Sequence, residues 1–310
     1  MHTVCVFGSI NNDMSVNCVR MPQKGETVLG NTFVIAGGGK GANQAAASAR
    51  LGAKTFFVGK VGHDRFGSQL VSDLQEYGVN CSRTRTSSDA PTGSALILRS
   101  EGDNRIVVDP GANAHTTIEE VEDALDSLCV PGDIFLTQFE CSREVSLRAL
   151  KHASELGLFT ICNPSPAFPM TESSYHAIDL LCLNETECSL LSGVFPQDDE
   201  STRSALDYFA ARGVKNTIIT LGAQGCIASF GGDLHKVPAY NVDVVDCTGA
   251  GDTFLGAICA SLAYEQELEK ALEIANAAAA LCVTKLGAQP SIPTFDEVQS
   301  FLSCTSTVSE

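Results

Sequence analysis

The sequence predicts an α/β protein with a mostly parallel central β-sheet and helices on both of its faces. Short apolar runs alternate with helical patterns along almost all of the 310 residues, an order typical of parallel sheets. The length and the 44% hydrophobic content are enough for a large domain with a sizeable core. Polar residues follow five of the predicted strands, which indicates a hydrophilic ligand at the carboxyl edge of the sheet.

The elements follow from the periodicity of the apolar residues. Strands of the main sheet are predicted over residues 4–7, 55–58, 133–137, 159–162, 180–183, 217–220 and 226–230. Helices are predicted over residues 41–51, 66–77, 118–128, 144–155, 185–192, 201–212, 252–264 and 268–285.

Two segments, about residues 14–35 and 92–110, lack this alternation. The first has Pro22, Gly25 and Gly30 between β-leaning pieces, and the second predicts strands over 94–98 and 105–108 around a turn at 101–104. We expect both segments to form antiparallel strands outside the main sheet, as a small flap over the site. The alternative is a pair of hairpins that only decorate the surface.

Composition and charge exclude several classes of function. The net charge of −17, from 20 basic and 37 acidic residues, argues against nucleic-acid binding. The chain has no apolar run of 18 residues and no signal peptide pattern at its start, so we expect no membrane partner. The thirteen cysteines lack CxxC pairs and Cys/His clusters, which favours free thiols over zinc sites. We therefore expect a cytoplasmic protein, or one that also enters the nucleus in a eukaryotic cell.

The clearest chemical signal is the glycine-rich stretch from Asp246 to Phe254. A helix is predicted to start at Asp252, and a helix N-terminus offers unpaired N–H groups and a partial positive charge to an anion. Asp252 could take a proton from a hydroxyl while these N–H groups stabilise a phosphoryl group in transfer. The alternative is that Asp252 is a simple N-cap, and the segment alone leaves both open.

A second glycine run, Gly37-Gly38-Gly39-Lys40-Gly41, precedes an alanine-rich helix. It is not a Walker A loop, because no Ser or Thr follows the lysine and the spacing is wrong. It matches a dinucleotide fingerprint only loosely, and that motif belongs directly after the first strand. Two compatible interpretations remain. The glycines let the backbone and Asn43 approach a small polyol, or they let a small-residue helix pack closely on the sheet.

Six blocks in chain order resemble the ribokinases of the phosphofructokinase-B type carbohydrate kinase family. They are residues 8–13, 38–45, 184–187, 220–222, 246–252 and 287–291, and the resemblance covers essentially the whole chain. It implies a ribokinase-like three-layer sandwich over residues 1–310 as a single kinase domain, with the two irregular segments as a β lid. It also implies ATP-dependent phosphorylation of D-ribose at the 5-hydroxyl, use of Mg²⁺ and K⁺, and a homodimer formed through the lid.

The resemblance also implies roles for individual residues. Asp252 is the expected catalytic base, and the anion hole is formed by Gly249, Ala250 and Gly251. The expected sugar site consists of Asn11, Asp13, Gly39, Lys40, Gly41, Asn43, Glu140 and Asp252. The expected ATP contacts are Asn184, Thr220, Leu221, Gly222, Gly225, Gly251 and Asn276. Glu187, paired with Asn184, would organise Mg²⁺ largely through water. A monovalent cation would be held, partly by backbone carbonyls, at Asp246, Thr248, Cys282, Lys285, Gly287 and Ser291.

Simpler structural roles stay open for some of these residues. Asn11 and Asp13 could form turns, Asn184 could cap a helix, and Asn276 could be satisfied by the backbone. Other functions also stay open: phosphorylation of another free sugar such as 2-deoxyribose or fructose, a sugar-binding sensor without catalysis, or a nicotinamide oxidoreductase that uses the second glycine run.

Overall fold

The structure is a computed structural model that describes residues 1–100 and 103–306. Its strands are β1 Thr3–Phe7, β2 Asn11–Cys18, β3 Gly30–Gly38, β4 Lys54–Gly62, β5 Asn80–Ser87, β6 Gly93–Ser100, β7 Asp103–Asp109, β8 Ile134–Thr137, β9 Phe159–Cys162, β10 Leu180–Asn184, β11 Asn216–Thr220, β12 Cys226–Phe230 and β13 Asp233–Val237. Its helices are α1 Lys40–Arg50, α2 Arg65–Glu76, α3 Ile118–Leu128, α4 Arg143–Glu155, α5 Glu172–Tyr175, α6 Glu185–Ser192, α7 Asp199–Ala210, α8 Ala250–Ala263, α9 Leu268–Cys282 and α10 Phe295–Ser306.

The central sheet has nine strands in the order β13-β12-β11-β10-β9-β8-β1-β4-β5. The seven strands from β11 to β5 are parallel, and β12 and β13 are antiparallel to their neighbours. One apolar core lies on each face, with α1, α2, α8, α9 and α10 on one side and α3 to α7 on the other. Val4 and Val6 of β1 join the first core while Cys5 and Phe7 join the second, as strand alternation requires. The predicted three layers are therefore confirmed.

The seven predicted strands and eight predicted helices are all present, with ends shifted by a few residues. Four elements escaped prediction: β5, β13, α5 and α10. β5 and β13 are the two edge strands, and their mostly polar residues lack the apolar runs that mark buried strands. The helix predicted from Asp252 begins at Ala250, and the one predicted to end at Lys285 ends at Cys282.

The second sheet, which we call the lid, has four strands in the order β3-β2-β6-β7. It extends beyond the predicted segment 14–35, because β2 begins at Asn11 and β3 ends at Gly38. The expectation of wholly antiparallel strands is wrong at its centre, where β2 and β6 pair in parallel. The reason is topological: β2 follows β1 and β6 follows β5, and both leave the same edge of a parallel sheet. The predicted turn at 101–104 includes Glu101 and Gly102, which lie outside the described residues.

The cysteines and the helices bear on two further expectations. All thirteen cysteines are free thiols, and nine of them are buried. Free thiols are therefore confirmed. Within the ranges that the structure describes, no helix is both long enough and apolar enough to cross a bilayer.

Helices α1 and α8 pack unusually closely. A Cβ built on Gly256 of α8 would lie 2.4 Å from Cβ of Ala47 and 2.8 Å from the carbonyl oxygen of Gln44. Ala47 and Ser48, which lie nearest to Gly256 together with the Gln44 carbonyl, are small and fully buried. The interpretation of α1 as a small-residue helix that packs tightly is confirmed, and its partner is α8 as well as the sheet.

Gly256→Ala should lower the stability of the fold. Alanine is the better helix former by about 1 kcal/mol, but here its methyl group would force the two helices apart, and such overpacking costs about 1–3 kcal/mol. Urea unfolding followed by circular dichroism measures which of these two effects on the free energy of unfolding is larger. An unchanged or raised unfolding midpoint would show that α1 and α8 do not need this contact.

Candidate active site

A polar cleft of about 500 Å³ opens at the carboxyl edge of the central sheet, where α8 begins. The ends of β10 and β11 and the residue after β9 border it through Asn184, Thr220 and Asn163. Lys40 at the start of α1 and Asp252 at the start of α8 complete its inner wall. The polar strand exits seen in the sequence thus converge on one place, as expected for a parallel sheet.

Asp252 lies at the inner end of this cleft and is buried. Its Oδ2 accepts a hydrogen bond from Nδ2 of Asn43, and its Oδ1 accepts one from Nε2 of Gln44, both at 2.9 Å. The N-cap of α8 is Gly249 (φ 80°), so the alternative of Asp252 as an N-cap is wrong. Burial raises the pKa of Asp252, and the Lys40 charge and the two amide donors oppose it without cancelling it. A carboxylate with a raised pKa is a better proton acceptor.

The first turn of α8 forms an open anion cradle beside Asp252. Among the described residues, the backbone N–H groups of Gly251 and Asp252 have no hydrogen-bond partner, as expected at a helix start. Nothing lies within 4 Å of a Cβ built on Gly251, so this face is open to the cleft. Ala250 is less free, since its N–H reaches the carbonyl oxygen of Cys247 at 3.3 Å.

The glycine loop before α1 brings its backbone against the turn after β1. Gly39 has φ 89°, and a Cβ there would lie 2.8 Å from the carbonyl oxygen of Ser9. Oγ of Ser9 donates to Oε2 of Glu140 at 2.6 Å, and the backbone N–H of Lys40 donates to the same oxygen at 3.0 Å. Gly41 is equally crowded, because its Cβ would meet Gly8. The glycines therefore let two backbone segments of the protein come close together, while the expected approach to a polyol stays a prediction.

Two residues of the expected sugar site lie on β2. Oδ1 of Asn11 accepts from Nδ2 of Asn113 at 2.8 Å, and Asn113 also bonds the backbone of Ile10. Asp13 points the same way along the strand, two residues later. Burial, followed by the charges of Glu140 and Asp252, raises the pKa of Asp13 to about 7, while Arg99 lowers it. Asn11 and Asp13 are strand residues, so the alternative that they form turns is wrong.

Lys40 is the cation among these acids. Burial alone would lower the pKa of Lys40, but the charges of Asp252, Glu140 and Glu187 outweigh burial and raise it. The lysine therefore stays charged between the acidic pocket and the cleft.

The residues predicted to contact ATP divide into two groups. Asn184, Thr220 and Gly222 border the cleft, with Gly222 at φ 53°. Leu221 is buried, and its N–H bonds the carbonyl of Gly225 to close the tight turn. Asn276 does not border the cleft: its Nδ2 donates to the carbonyl oxygens of Val237 and Pro238. For Asn276, the alternative of a side chain satisfied by the backbone is thus confirmed.

Asn184 and Glu187 form a capping box at the start of α6. Oδ1 of Asn184 accepts from the Glu187 N–H at 2.9 Å, and Oε2 of Glu187 accepts from the Asn184 N–H at 3.0 Å. Glu187 also borders the cleft, and its Oε1 has no hydrogen-bond partner within the described part of the chain. The capping role of Asn184 is confirmed, and it leaves one carboxylate oxygen available for hydrated Mg²⁺.

The residues expected at a monovalent cation gather around Asp246. Its Oδ1 accepts from the N–H and Oγ1 of Thr248, and its Oδ2 accepts from the N–H of Gly287 at 3.0 Å. Burial would raise the pKa of Asp246, but these hydrogen bonds outweigh it and lower the pKa, which keeps the carboxylate charged. Sγ of Cys282 lies 3.0 Å from Oγ of Ser291.

The side chain of Lys285 turns away from this group and donates to Glu297. Only its backbone carbonyl could serve a cation. The described residues hold no group of three or more His, Cys, Asp or Glu side chains fit for a metal.

Comparison with known proteins identifies the family. The profile of the pfkB family carbohydrate kinases matches residues 1–295. The chain belongs to this family. This carbohydrate kinase is 39% identical to the ribokinase of Bacillus subtilis over 303 residues, covering 98% of this chain and 100% of that protein. It is 31% identical to the deoxyribokinase of Salmonella typhi over 302 residues, covering 97% and 98%.

A solved structure gives the same result for the fold. The structure of Arabidopsis thaliana ribokinase complexed with ribose and ATP matches this kinase with a TM-score of 0.88 at 32% identity, covering 97% of this chain and 98% of that one. The ribokinase-like fold expected from the sequence is therefore confirmed.

Some residues of the site were not predicted from the sequence. Gln44, Gln138, Asn163 and Gln289 bind one another, Asn43 or Asp252, and Asn113 holds Asn11. Gln44 lies inside one of the blocks that resemble the family, so its place beside Asn43 was a usable signal. Gln289 lies in another such block, and Gln138 and Asn163 directly follow predicted strands, so only Asn113 carried no signal.

Asp13→Asn should stabilise the ligand-free kinase at alkaline pH. The folded pKa of about 7 lies above the ordinary value of 3.8, so the folded state holds a proton that the unfolded chain loses. That stabilising contribution is complete below pH 3.8 and is lost progressively as the pH rises from 3.8 to 7. Thermal unfolding at pH 5 and pH 8.5 should show the variant gaining more on the original protein at the higher pH. An equal difference at both values would remove the titration argument.

Proposed function

We propose that this kinase transfers the γ-phosphoryl group of ATP to the 5-hydroxyl of D-ribose, giving D-ribose 5-phosphate and ADP. One observation carries the proposal: the buried carboxylate of Asp252 lies beside the free N–H groups that open α8. Asp13 and Glu140 lie close enough to Asp252 for the charges to act on one another, and Asp252 also borders the polar cleft. The names of the relatives support ribose and ATP as the two substrates.

Asp252 would accept the hydroxyl proton as the sugar oxygen attacks the γ-phosphorus and ADP leaves. The N–H groups of Gly251 and its neighbours would hold the negative charge that spreads over the transferred phosphoryl oxygens. Lys40 stays charged and would add a positive charge between the sugar and the cleft. Mg²⁺, when bound, neutralises phosphate charge, and Glu187 with Asn184 would hold it through water.

The sugar pocket favours a polyol. Carboxylates and amide oxygens accept hydrogen bonds, and the hydroxyl groups of a free sugar donate them. Asn11, Asp13, Asn43 and Glu140 supply such acceptors, and Gly39 and Gly41 allow the backbone to come close. The likeness to a deoxyribokinase keeps 2-deoxyribose as the second candidate substrate.

The decisive experiment measures ADP release from ATP with ribose, 2-deoxyribose, fructose and nucleosides. We expect the highest kcat/KM with D-ribose, with 2-deoxyribose lower because an unpaired buried acceptor weakens binding. Highest turnover on another sugar would replace the substrate. Ribose binding without ADP release, measured by calorimetry, would make the protein a sensor.

Asp252→Asn should reduce kcat by at least about 10²–10⁴-fold, the usual contribution of a general base. The amide keeps the shape of the side chain but accepts no proton, so the dissociation constant for ribose should change little. Single-turnover kinetics and ribose titration separate the two quantities. Normal turnover by the variant would exclude Asp252 as the base.

We further propose that a monovalent cation binds at the Asp246 turn and stabilises the anion cradle. Asp246 fixes the N–H groups of Thr248 and Gly287, and the chain between Asp246 and Asp252 forms that cradle. The cation would act by holding the N–H donors of the cradle in place before the reaction. Loss of one such donor from an anion hole costs about 2.7–4 kcal/mol of transition-state stabilisation.

Potassium should therefore raise kcat strongly in a cation-free buffer, and sodium should do so more weakly. Asp246→Ala should abolish the response to K⁺ while basal activity remains. The titration should be run in parallel on both proteins. A flat potassium titration of the unmutated kinase would end the cation proposal, and an unchanged response in Asp246→Ala would place the cation elsewhere.

The lid is the proposed dimer interface. One row of paired residues crosses its four strands, from Ile35 through Met14 and Leu96 to Val107. Ile35 is 51% exposed, Leu96 54% and Val107 69%. A second lid laid on this row would cover a contiguous apolar patch and protect edge strands from other partners.

Leu96→Lys together with Val107→Lys should turn a dimer into a monomer, because two charges would enter the buried face. Light scattering at micromolar concentration reports the mass. Lysine at the exposed residue Leu190, on α6 and outside the lid, is the matched control and should leave the mass unchanged. A monomeric original protein would contradict the interface.

The remaining proposals concern organisation and location. Residues 1–310 would form a single kinase domain, with β2, β3, β6 and β7 as its lid. The family match over residues 1–295 supports this division. The free, mostly buried cysteines support a reducing compartment, which is the cytoplasm, or the nucleus in a eukaryotic cell.

A further inference from the structure

A chain of buried amides reaches Asp252 from the side away from Asn43. Nε2 of Gln44 donates to Oδ1 of Asp252 at 2.9 Å and to Oδ1 of Asn163 at 3.2 Å. Oε1 of Gln44 accepts from Nε2 of Gln138 at 2.5 Å. Gln44 is fully buried and Gln138 is 1% exposed, so water does not compete for these bonds.

The neighbours fix which way the Gln44 amide faces. Nδ2 of Asn163 donates to the carbonyl oxygen of Cys182 at 3.0 Å, which leaves Oδ1 of Asn163 toward Gln44. Gln138 offers its Nε2 donor to Oε1 of Gln44 from the opposite side. A flipped Gln44 amide would set oxygen against oxygen at Asn163 and at Asp252, and donor against donor at Gln138.

The amide of Asn43 on the other carboxylate oxygen is held in the same way. Nε2 of Gln289 donates to Oδ1 of Asn43 at 3.1 Å, so Nδ2 of Asn43 must face Asp252. Both oxygens of the carboxylate are thus bound by oriented donors. A carboxylate bound at two points cannot rotate freely about its Cβ–Cγ bond.

We propose that Gln44, oriented by Gln138 and Asn163, is a positioning residue that holds the Asp252 carboxylate in the direction of the sugar hydroxyl. This inference rests on the proposed function, in which Asp252 is the base. Gln44 itself does not border the cleft, so it acts through Asp252 and not on the substrate. Fixing a catalytic group in its reactive orientation is a recognised source of rate.

The charges around Asp252 determine the pH signature of this role. Lys40 faces it from α1, Glu140 from the segment after β8, Asp13 from the lid and Cys282 from α9. The Gln44 donor lowers the pKa of Asp252 against the effect of burial. Loss of this donor therefore raises the pKa, and the acidic limb of the kcat profile moves to higher pH.

The test is Gln44→Met, which keeps the length of the side chain and removes its donor and acceptor. We expect kcat to fall by up to about 10²-fold, with the acidic limb at higher pH. The KM values for sugar and ATP should change little. The matched control is Ser48→Ala, one turn further along α1, because Ser48 is also fully buried but bonds Thr55 instead of the site. Ser48→Ala should keep the original kcat and pH profile.

A second variant keeps the proposal testable if Gln44→Met does not fold. Gln138→Met leaves both donors to Asp252 in place and removes one of the two side chains that orient Gln44, while Asn163 remains. We expect a smaller fall in kcat, with unchanged KM values and the same direction of pH shift. If Gln138→Met matched the original protein while folded, the orienting role of Gln138 would be refuted.

The outcomes separate this inference from the function on which it rests. An original protein that phosphorylates no sugar would refute the proposed function. An active original protein whose Gln44→Met variant matches Ser48→Ala in kcat and pH profile would refute only the role of Gln44. Raised KM values with an unchanged kcat would show that Gln44 shapes substrate binding and does not position the base.

Discussion

The close contact between α1 and α8 is the constraint on which the rest of the site depends. Only the absence of a side chain at Gly256 allows the two helices to approach, and small residues such as Ala47 face it across the contact. Protein interiors are packed densely enough that such a separation is fixed within a fraction of an ångström. Asn43 and Gln44 lie on α1, and Asp252 lies on α8. The distance between the helices therefore sets the two hydrogen bonds that hold the carboxylate.

The net charge of the whole protein does not attract an anionic nucleotide, so the attraction must come from groups within the site. With a net charge of −17, the kinase gains no long-range attraction for an anionic nucleotide. Local groups must supply this attraction, and two described groups can do so: the N-terminus of α8 and the half-buried Lys40. Asp13, Glu140 and Asp252 crowd together nearby, and their mutual repulsion with burial raises the pKa of Asp13 to about 7. Such a cluster lowers the stability of the ligand-free protein, and its carboxylates are suited to accept hydrogen bonds from hydroxyl groups.

The lid also contributes charged side chains to the site. Asp13 is a lid residue that faces the site, and Arg99 on β6 lies on the same face of the sheet. Nη2 of Arg99 comes within 3.9 Å of Oδ2 of Asp246, so the lid also meets the turn that leads into α8. The parallel pairing of β2 with β6 places both residues on one face of the lid, because both strands leave the carboxyl edge of the main sheet in the same direction.

The sequence alone determined the alternation of strands and helices, the three layers, and the glycine turn that ends at Asp252. Those features depend on local pattern, because the spacing of apolar residues and the presence of turn residues can both be recognised within about ten consecutive residues. Only the tertiary structure decided the edge strands β5 and β13, the parallel centre of the lid, and the partners of Asp252. Edge strands lack an apolar run, and strand direction in the lid depends on where distant segments leave the sheet. Asn43 and Asp252 lie 209 residues apart, and no local pattern connects them until the packing of α1 on α8 brings them within 2.9 Å.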